Sequence, residues 1–312
     1  MGLSLFGSVT PTPATARTIA PVLAALARLT IAVLVVLLLA APRAPVRAET
    51  DGVAAGKKPE VLVFVFRAMG GKFISRDMDD LAAAISAQGF DVRVQNYTGY
   101  IRPAKETIQR WKSAAVKPRI VALGHSAGGD SAIRFALALN RARVPVDLII
   151  TLDPTRIANR VPANVARFIN IYSSKHTLGG GDPEPGKDFK GHFVTVDLKN
   201  QPDLWHLHMA RMAGLQEAVV AKIVEVVAMP PVSAEGAVPL EYAPPRDASV
   251  EIWDSAVPVV TGAGETAAMV AEQFGVPAWV VAQINDVGAN DPLAAGRRLL
   301  VPRRLAVAAP AN

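Results

Sequence analysis

Five consecutive residues, Gly124-His125-Ser126-Ala127-Gly128, have the types and spacing for nucleophilic chemistry. An apolar run at 119–123 precedes them, and 130–139 (DSAIRFALAL) carries apolar residues at helical spacing. A serine between a strand and a helix must sit on a sharp, strained turn, and small residues two positions either side let the chain double back. A serine hydroxyl is a poor nucleophile at neutral pH. It needs an imidazole to take its proton and a carboxylate to hold that imidazole in the correct tautomer. The rest of the chain must supply both.

Candidates follow in order. Residues 147–152 read as a buried parallel strand ending at Asp153-Pro154, and the carboxyl ends of such strands are where open α/β sheets place their functional groups. Residues 193–196 read as another strand, leading through a polar turn to Trp205-His206-Leu207-His208. His206 and His208 compete for the base. His206 is preferred because it opens the segment leading into an apolar-periodic helix at 209–227. His125 abuts the serine, but its side chain is expected to point away on a tight turn, while His176 sits in a loop and His192 precedes a strand. The set His192, His206 and His208 lacks a ligand spacing with a carboxylate on one helix face, so no metal is expected. Gly179-Gly180-Gly181 lacks the strand-to-helix setting of a phosphate cradle and reads as a loop near the site.

The strand-turn-helix context of Ser126, with Asp153 and His206 after it, resembles the α/β-hydrolase superfamily and its compact lipase and esterase-like members. The likeness covers residues 59–228: a strand at 61–66, a loop at 67–71, a helix at 77–87, a strand at 91–95 and a helix around 106–115. Leu152-Asp153-Pro154 is similar to the acid-bearing turn of pancreatic-type lipases, while the resemblance to other hydrolases, which place the acid one strand later, implies Asp182 or Asp188 in the Gly-rich loop as the alternative. The resemblance implies an α/β domain over 55–228, with a mainly parallel sheet flanked by helices and no cofactor. It also implies Ser126 as nucleophile, His206 as base and Asp153 as orienting acid, with an oxyanion hole built from the N–H groups of Ala127 and Met69. The common His-Gly pair is replaced here by Arg67-Ala68, a change that backbone donors tolerate. The implied reaction is ester or thioester hydrolysis through an acyl-enzyme. No amphipathic lid-like stretch is evident, which favours a small or exposed acyl group.

Beyond residue 228 the character changes. Pro230-Pro231 and Pro244-Pro245 bracket a Ser/Gly/Ala/Glu-containing stretch, so 229–250 reads as a partly stiff linker. Residues 259–302 resemble a LysM repeat: a strand, the turn Gly264-Glu265-Thr266, a helix closed by Gly275, a second helix, and a last strand at 297–302. Thr266 can cap the first helix and Gly275 suits a left-handed stop. The resemblance implies a small βααβ domain at 251–304 that binds peptidoglycan or another N-acetylglucosamine-containing glycan through Gly264, Glu265, Thr266, Asn285 and Asp286. Ala267 stands where Leu is usual.

Residues 1–48 read as a signal peptide, with Arg17 and Arg28 before an apolar run at 29–41 and Val46-Arg47-Ala48 before a cut. Export to a periplasm or cell envelope, or secretion, follows as the expectation. The chain of 312 residues has no Cys, which removes disulfides, Cys catalysis and iron–sulfur ligation together. Its net charge of +6 owes much to residues 1–48, which hold four Arg and no acid, so the remainder carries +2. No basic stripe interleaves with aromatics, and no nucleic acid partner is expected. The alternative to an exported serine hydrolase is a non-catalytic, glycan-binding envelope protein on a hydrolase-like fold.

Overall fold

The computed structural model describes residues 59–202, 204–230 and 233–304. The expected signal peptide lies outside them. Among the described residues, no helix is long and apolar enough to cross a membrane.

Seven strands form one sheet: β1 (Val61–Phe66), β2 (Asp91–Gln95), β3 (Arg119–His125), β4 (Leu148–Leu152), β5 (Arg167–Tyr172), β6 (His192–Asp197) and β7 (Leu240–Tyr242). Their order is β2-β1-β3-β4-β5-β6-β7, and every neighbouring pair is parallel. Parallel neighbours need crossovers, which here carry helices on both faces. One face is covered by α1 (Arg76–Ser86) and α4 (Ala213–Ala228), the other by α2 (Ile101–Ser113) and α3 (Ala127–Arg141). On β1, Val63 and Val65 join the first core while Leu62, Phe64 and Phe66 join the second. A strand buried on both faces has to be apolar throughout, as VLVFVF is.

The strand order reverses between β1 and β3. The loops leaving the carboxyl ends of these two strands therefore face each other across a crevice, where such sheets place their sites. Phe66 and Gly124 are register partners at that end.

The C-terminal region is an antiparallel pair, β8 (Ser255–Val260) and β9 (Arg298–Arg303), with α5 (Ala267–Phe274) and α6 (Ala278–Ile284) between them in the chain. Thr266 Oγ1 accepts from Met269 N–H at 3.2 Å and caps α5, and Gly275 closes it with φ 63°. Ala267 is fully buried.

The stretch 229–250, read as a linker, is built into the body. Residues Leu240–Tyr242 form β7 beside β6, and Val238 exchanges backbone hydrogen bonds with Ala256. The Gln283 amide on α6 clamps Ala243, accepting from its N–H at 2.7 Å and donating to its carbonyl at 2.9 Å. The rings of Tyr242, Trp253 and Trp279 pack together with centroids 4.7–6.2 Å apart. Leu-x-Tyr is too short an alternation to announce a strand against two flanking Pro pairs. The apolar core runs from the sheet into this region without a break.

A buried ionic cluster makes the same junction. Asp254 lies 3.3 Å from both Arg167 on β5 and Lys222 on α4, and all three are almost fully buried. Removing one partner of such a set leaves charge stranded in a low dielectric. Asp254→Ala is expected to cost about 3–5 kcal/mol of stability in denaturant unfolding, and a loss under 1 kcal/mol would contradict this role.

Candidate active site

Ser126 lies at the junction of β3 and α3 with φ 56° and ψ −129°, a backbone region that L-residues rarely adopt. Its flanking glycines are required by close approach. A Cβ on Gly124 would stand 2.2 Å from the Gly128 carbonyl oxygen, and one on Gly128 would stand 2.2 Å from that of Phe66. The turn thus presses α3 against the end of β1 and lifts the serine, partly exposed, above the carboxyl edge of the sheet.

Asp153 follows β4 directly, with φ 46°, and is fully buried. Its turn is anchored from behind, where Asp130 on α3 accepts from Thr155 N–H at 3.1 Å and from Thr155 Oγ at 2.6 Å. The carboxylate receives four N–H groups. Ser173 and Gly180 donate backbone N–H groups to Oδ1 at 3.2 and 2.8 Å, and the Nδ1 atoms of His206 and His176 approach Oδ2 at 2.6 and 2.5 Å. Burial alone would raise this carboxyl. The hydrogen bonds from His206, His176 and Gly180 outweigh it and hold the group below the ordinary carboxylate value.

His206 completes the line. It opens a 3₁₀ turn, His206–Arg211, ahead of α4, and its Nε2 accepts from Ser126 Oγ at 3.0 Å. Its backbone is held too, because the His125 Nε2–H donates to the His206 carbonyl at 2.9 Å. Burial, with the neighbouring His206 ring second, lowers His125 to about 4 from the usual 6.5, so it is a neutral donor at ordinary pH. The His125 ring therefore has a partner that the tight turn did not suggest.

Of the competing residues, His208 is exposed and lies edge-on to Trp205. Asp182 accepts from Asn170 and Thr195 on β5 and β6 instead of meeting His206. Asp188 makes no recorded approach to the histidine among the described residues. Ala127 begins α3, where the first helical N–H groups have no partner within the helix. In the loop after β1, Ala68 N–H is spent on Ser75 Oγ at 3.0 Å, whereas Met69 N–H has no protein acceptor among the described residues.

In the sequence His176 reads only as a loop residue. It is buried in the loop after β5, bound to Asp153 through Nδ1 and to the Leu204 carbonyl through Nε2 at 2.9 Å. No periodic pattern surrounds it, and the signal that could have found it is only its nearness to the Gly-rich loop. Asp153, His176 and His206 together make a donor set of the kind metals use. Ligands on a tetrahedral ion stand roughly 3.3 Å apart, so separations of 2.5 and 2.6 Å fit shared protons, not an ion.

In the βααβ region, Gly264 (φ 75°), Glu265 and Thr266 form the turn before α5, and this turn hydrogen-bonds to the return loop through Gly264–Leu293 and Leu293–Glu265 backbone contacts. The Glu265 carboxylate is engaged by Gly262 N–H and Gln273, and Thr266 Oγ by its cap. Asp286 is exposed with φ 49°. The Asn285 side chain is engaged within the protein. Both its amide N–H groups are spent on the carbonyls of Val281 and Leu300, and its oxygen accepts from Leu300 N–H, all at 2.7 Å. That side chain fastens β9 to α6.

No family model and no curated protein matches the chain. Among solved structures, the chain is similar to a hydrolase of the alpha/beta superfamily from Xanthomonas campestris pv. campestris, at 15% identity and TM-score 0.35 over 53% of this chain and 98% of the other. It is also similar to Est1E from Butyrivibrio proteoclasticus, at 13% identity and TM-score 0.37 over 55% and 90%. The same protein with ferulic acid bound gives 12% and 0.36 over 56% and 92%. The architecture stated above rests on this chain's own strand order and register.

Gly179 roofs the acid–base pair, since a Cβ there would stand 2.3 Å from Asp153 Oδ2 and 2.5 Å from His206 Nδ1. Gly179→Ala is expected to leave the fold intact by circular dichroism while slowing phosphonylation of Ser126 about 100-fold, as small misplacements of reacting groups do. A rate within threefold of the parent would contradict the packing.

Proposed function

We propose that this protein is a serine hydrolase of the esterase type. The observation that carries the reading is the continuous relay Ser126 Oγ, His206 Nε2, His206 Nδ1, Asp153 Oδ2, with links of 3.0 and 2.6 Å.

Each atom then has a task. Ser126 Oγ attacks the acyl carbonyl as His206 Nε2 takes its proton, and Asp153 keeps the proton on Nδ1 and stabilises the imidazolium that forms. The carbonyl oxygen, now negative, lies against the N–H groups of Ala127 and Met69, each worth about 3 kcal/mol in the transition state. His206 returns its proton to the leaving alkoxide or thiolate, leaving an acyl-serine. Water attacks that ester with His206 again as base, and the carboxylic acid departs.

The surroundings favour an apolar ester. Of the large apolar side chains exposed among the described residues, Met69, Phe73, Ile74, Ile101, Ile157, Leu178 and Trp205 all lie on segments that follow the carboxyl ends of strands, the edge that carries Ser126. Exposed apolar surface gathered at one edge marks a contact site. A short acyl group reaching a partly exposed serine, with its apolar alcohol against this rim, suits the arrangement.

The βααβ order and the turn at Gly264–Thr266 support a LysM reading of 251–304, and the N-terminal pattern supports export. Together they describe an enzyme held at the cell envelope by N-acetylglucosamine-containing glycan. The ligand would meet Gly264, Glu265, Thr266, Asn285 and Asp286 on the turn and the adjoining loop.

Fluorophosphonate labelling of the protein beside Ser126→Ala and His206→Ala tests the chemistry. Labelling of the parent alone is expected. An unlabelled, folded parent would overturn the enzymatic reading, and sedimentation with peptidoglycan would then decide between a glycan-binding scaffold and neither.

A further inference from the structure

Asp153 Oδ2 has two imidazole partners, and the relay uses only one of them. The second, His176, is 7% exposed and stands edge-on to His206 with ring centroids 6.2 Å apart. Its other nitrogen reaches the Leu204 carbonyl, two residues before His206. Both partners are acceptors. With both bonds made, the ring donates from Nδ1 and from Nε2, as only the doubly protonated imidazole can, spanning the acid and the segment that carries the base. Its own backbone is held in turn, because the Arg156 guanidinium donates to the His176 carbonyl at 2.9 Å.

We infer that His176 is a positioning residue for the Ser126 site, one that fixes the Asp153 carboxylate by a second imidazole N–H on the same oxygen that orients His206. This inference rests on the serine hydrolase reading. The physical case lies in what Oδ2 would do without it. Oδ1 is tied by two backbone N–H groups, but Oδ2 would be held by His206 alone, and acid and base could then rotate or shift together. A second donor from a different loop pins the oxygen independently, leaving His206 as the part whose proton moves. Donation to a carboxylate is about twice as strong as donation to a neutral acceptor. The Asp153 end of His176 therefore matters more than the Leu204 end.

Two isosteric variants separate these ends. In His176→Asn the amide nitrogen takes the place of Nδ1 and keeps the bond to Asp153. In His176→Gln it takes the place of Nε2 and keeps only the bond to Leu204. With 4-nitrophenyl acetate, His176→Asn is expected to hold kcat within about threefold, while His176→Gln and His176→Ala lose roughly 10- to 100-fold in kcat at unchanged KM. Proton NMR supplies an independent readout. The parent is expected to show two low-field imidazole N–H signals, from the two protons on Oδ2, and His176→Gln and His176→Ala one.

Equal activity in the Asn and Gln variants would overturn the inference, as would a parent with only one low-field signal that His176→Ala leaves unchanged. Should the Ala variant fail to fold, the Asn and Gln pair decides. A parent that hydrolyses no ester and takes no fluorophosphonate, yet shows both signals, would sink the hydrolase reading while leaving the shared oxygen in place.

Discussion

A single buried carboxylate organises the site. Asp153 has no exposed surface, and it stays ionised because four N–H groups from four separate positions replace the water it lost. Desolvating a charge without such partners would push the proton back on. The four donors come from the end of β5, the Gly-rich loop, His176 and His206, so the carboxylate ties together the loops that must close over it. Around this knot the backbone accepts unfavourable geometry, with Ser126 and Asp153 both at positive φ. Strain of that kind persists only where the surroundings over-determine it, as the Asp130–Thr155 bonds and the glycine contacts do here.

The sheet explains why these loops meet at all. Seven parallel strands deliver every strand-to-helix connection to one edge, and the reversal of order at β1 and β3 opens the gap in which Ser126 stands. The same reversal sets the loop after β1, whose Met69 N–H has no protein acceptor among the described residues, beside the Ser126 turn. On the far side of the molecule Asp254, Arg167 and Lys222 make a second buried charge cluster, which binds the βααβ region to the body. Both ends of the sheet thus hold paired buried charge, one beside Ser126 and one at the junction with the βααβ region.

Much of this was legible in the sequence because it is local. Apolar runs of five or six residues mark β1, β3 and β4 to within two residues of their ends, and G-x-S-x-G marks a turn only small residues can make. The choice of His206 over His208 came from its place at the head of a helical pattern, and the geometry brings that residue, not its neighbour, to Ser126. What stayed hidden depends on contacts between distant residues. His176 meets Asp153 across 23 positions, through a loop whose path no periodicity encodes. The strand β5 was passed over between two better-marked segments. The three-residue β7 is masked by the Pro pairs that flank it, and the bonds of Asn285 to Leu300 join residues 15 positions apart.

The central claim is that the Asp153 carboxylate is what makes Ser126 reactive. The most direct test is kcat/KM for 4-nitrophenyl acetate in Asp153→Asn, with the fold checked by circular dichroism. The amide keeps the shape but offers His206 the wrong partner, and a fall of about 10⁴-fold is predicted. Activity within threefold of the parent, in a folded variant, would contradict the account.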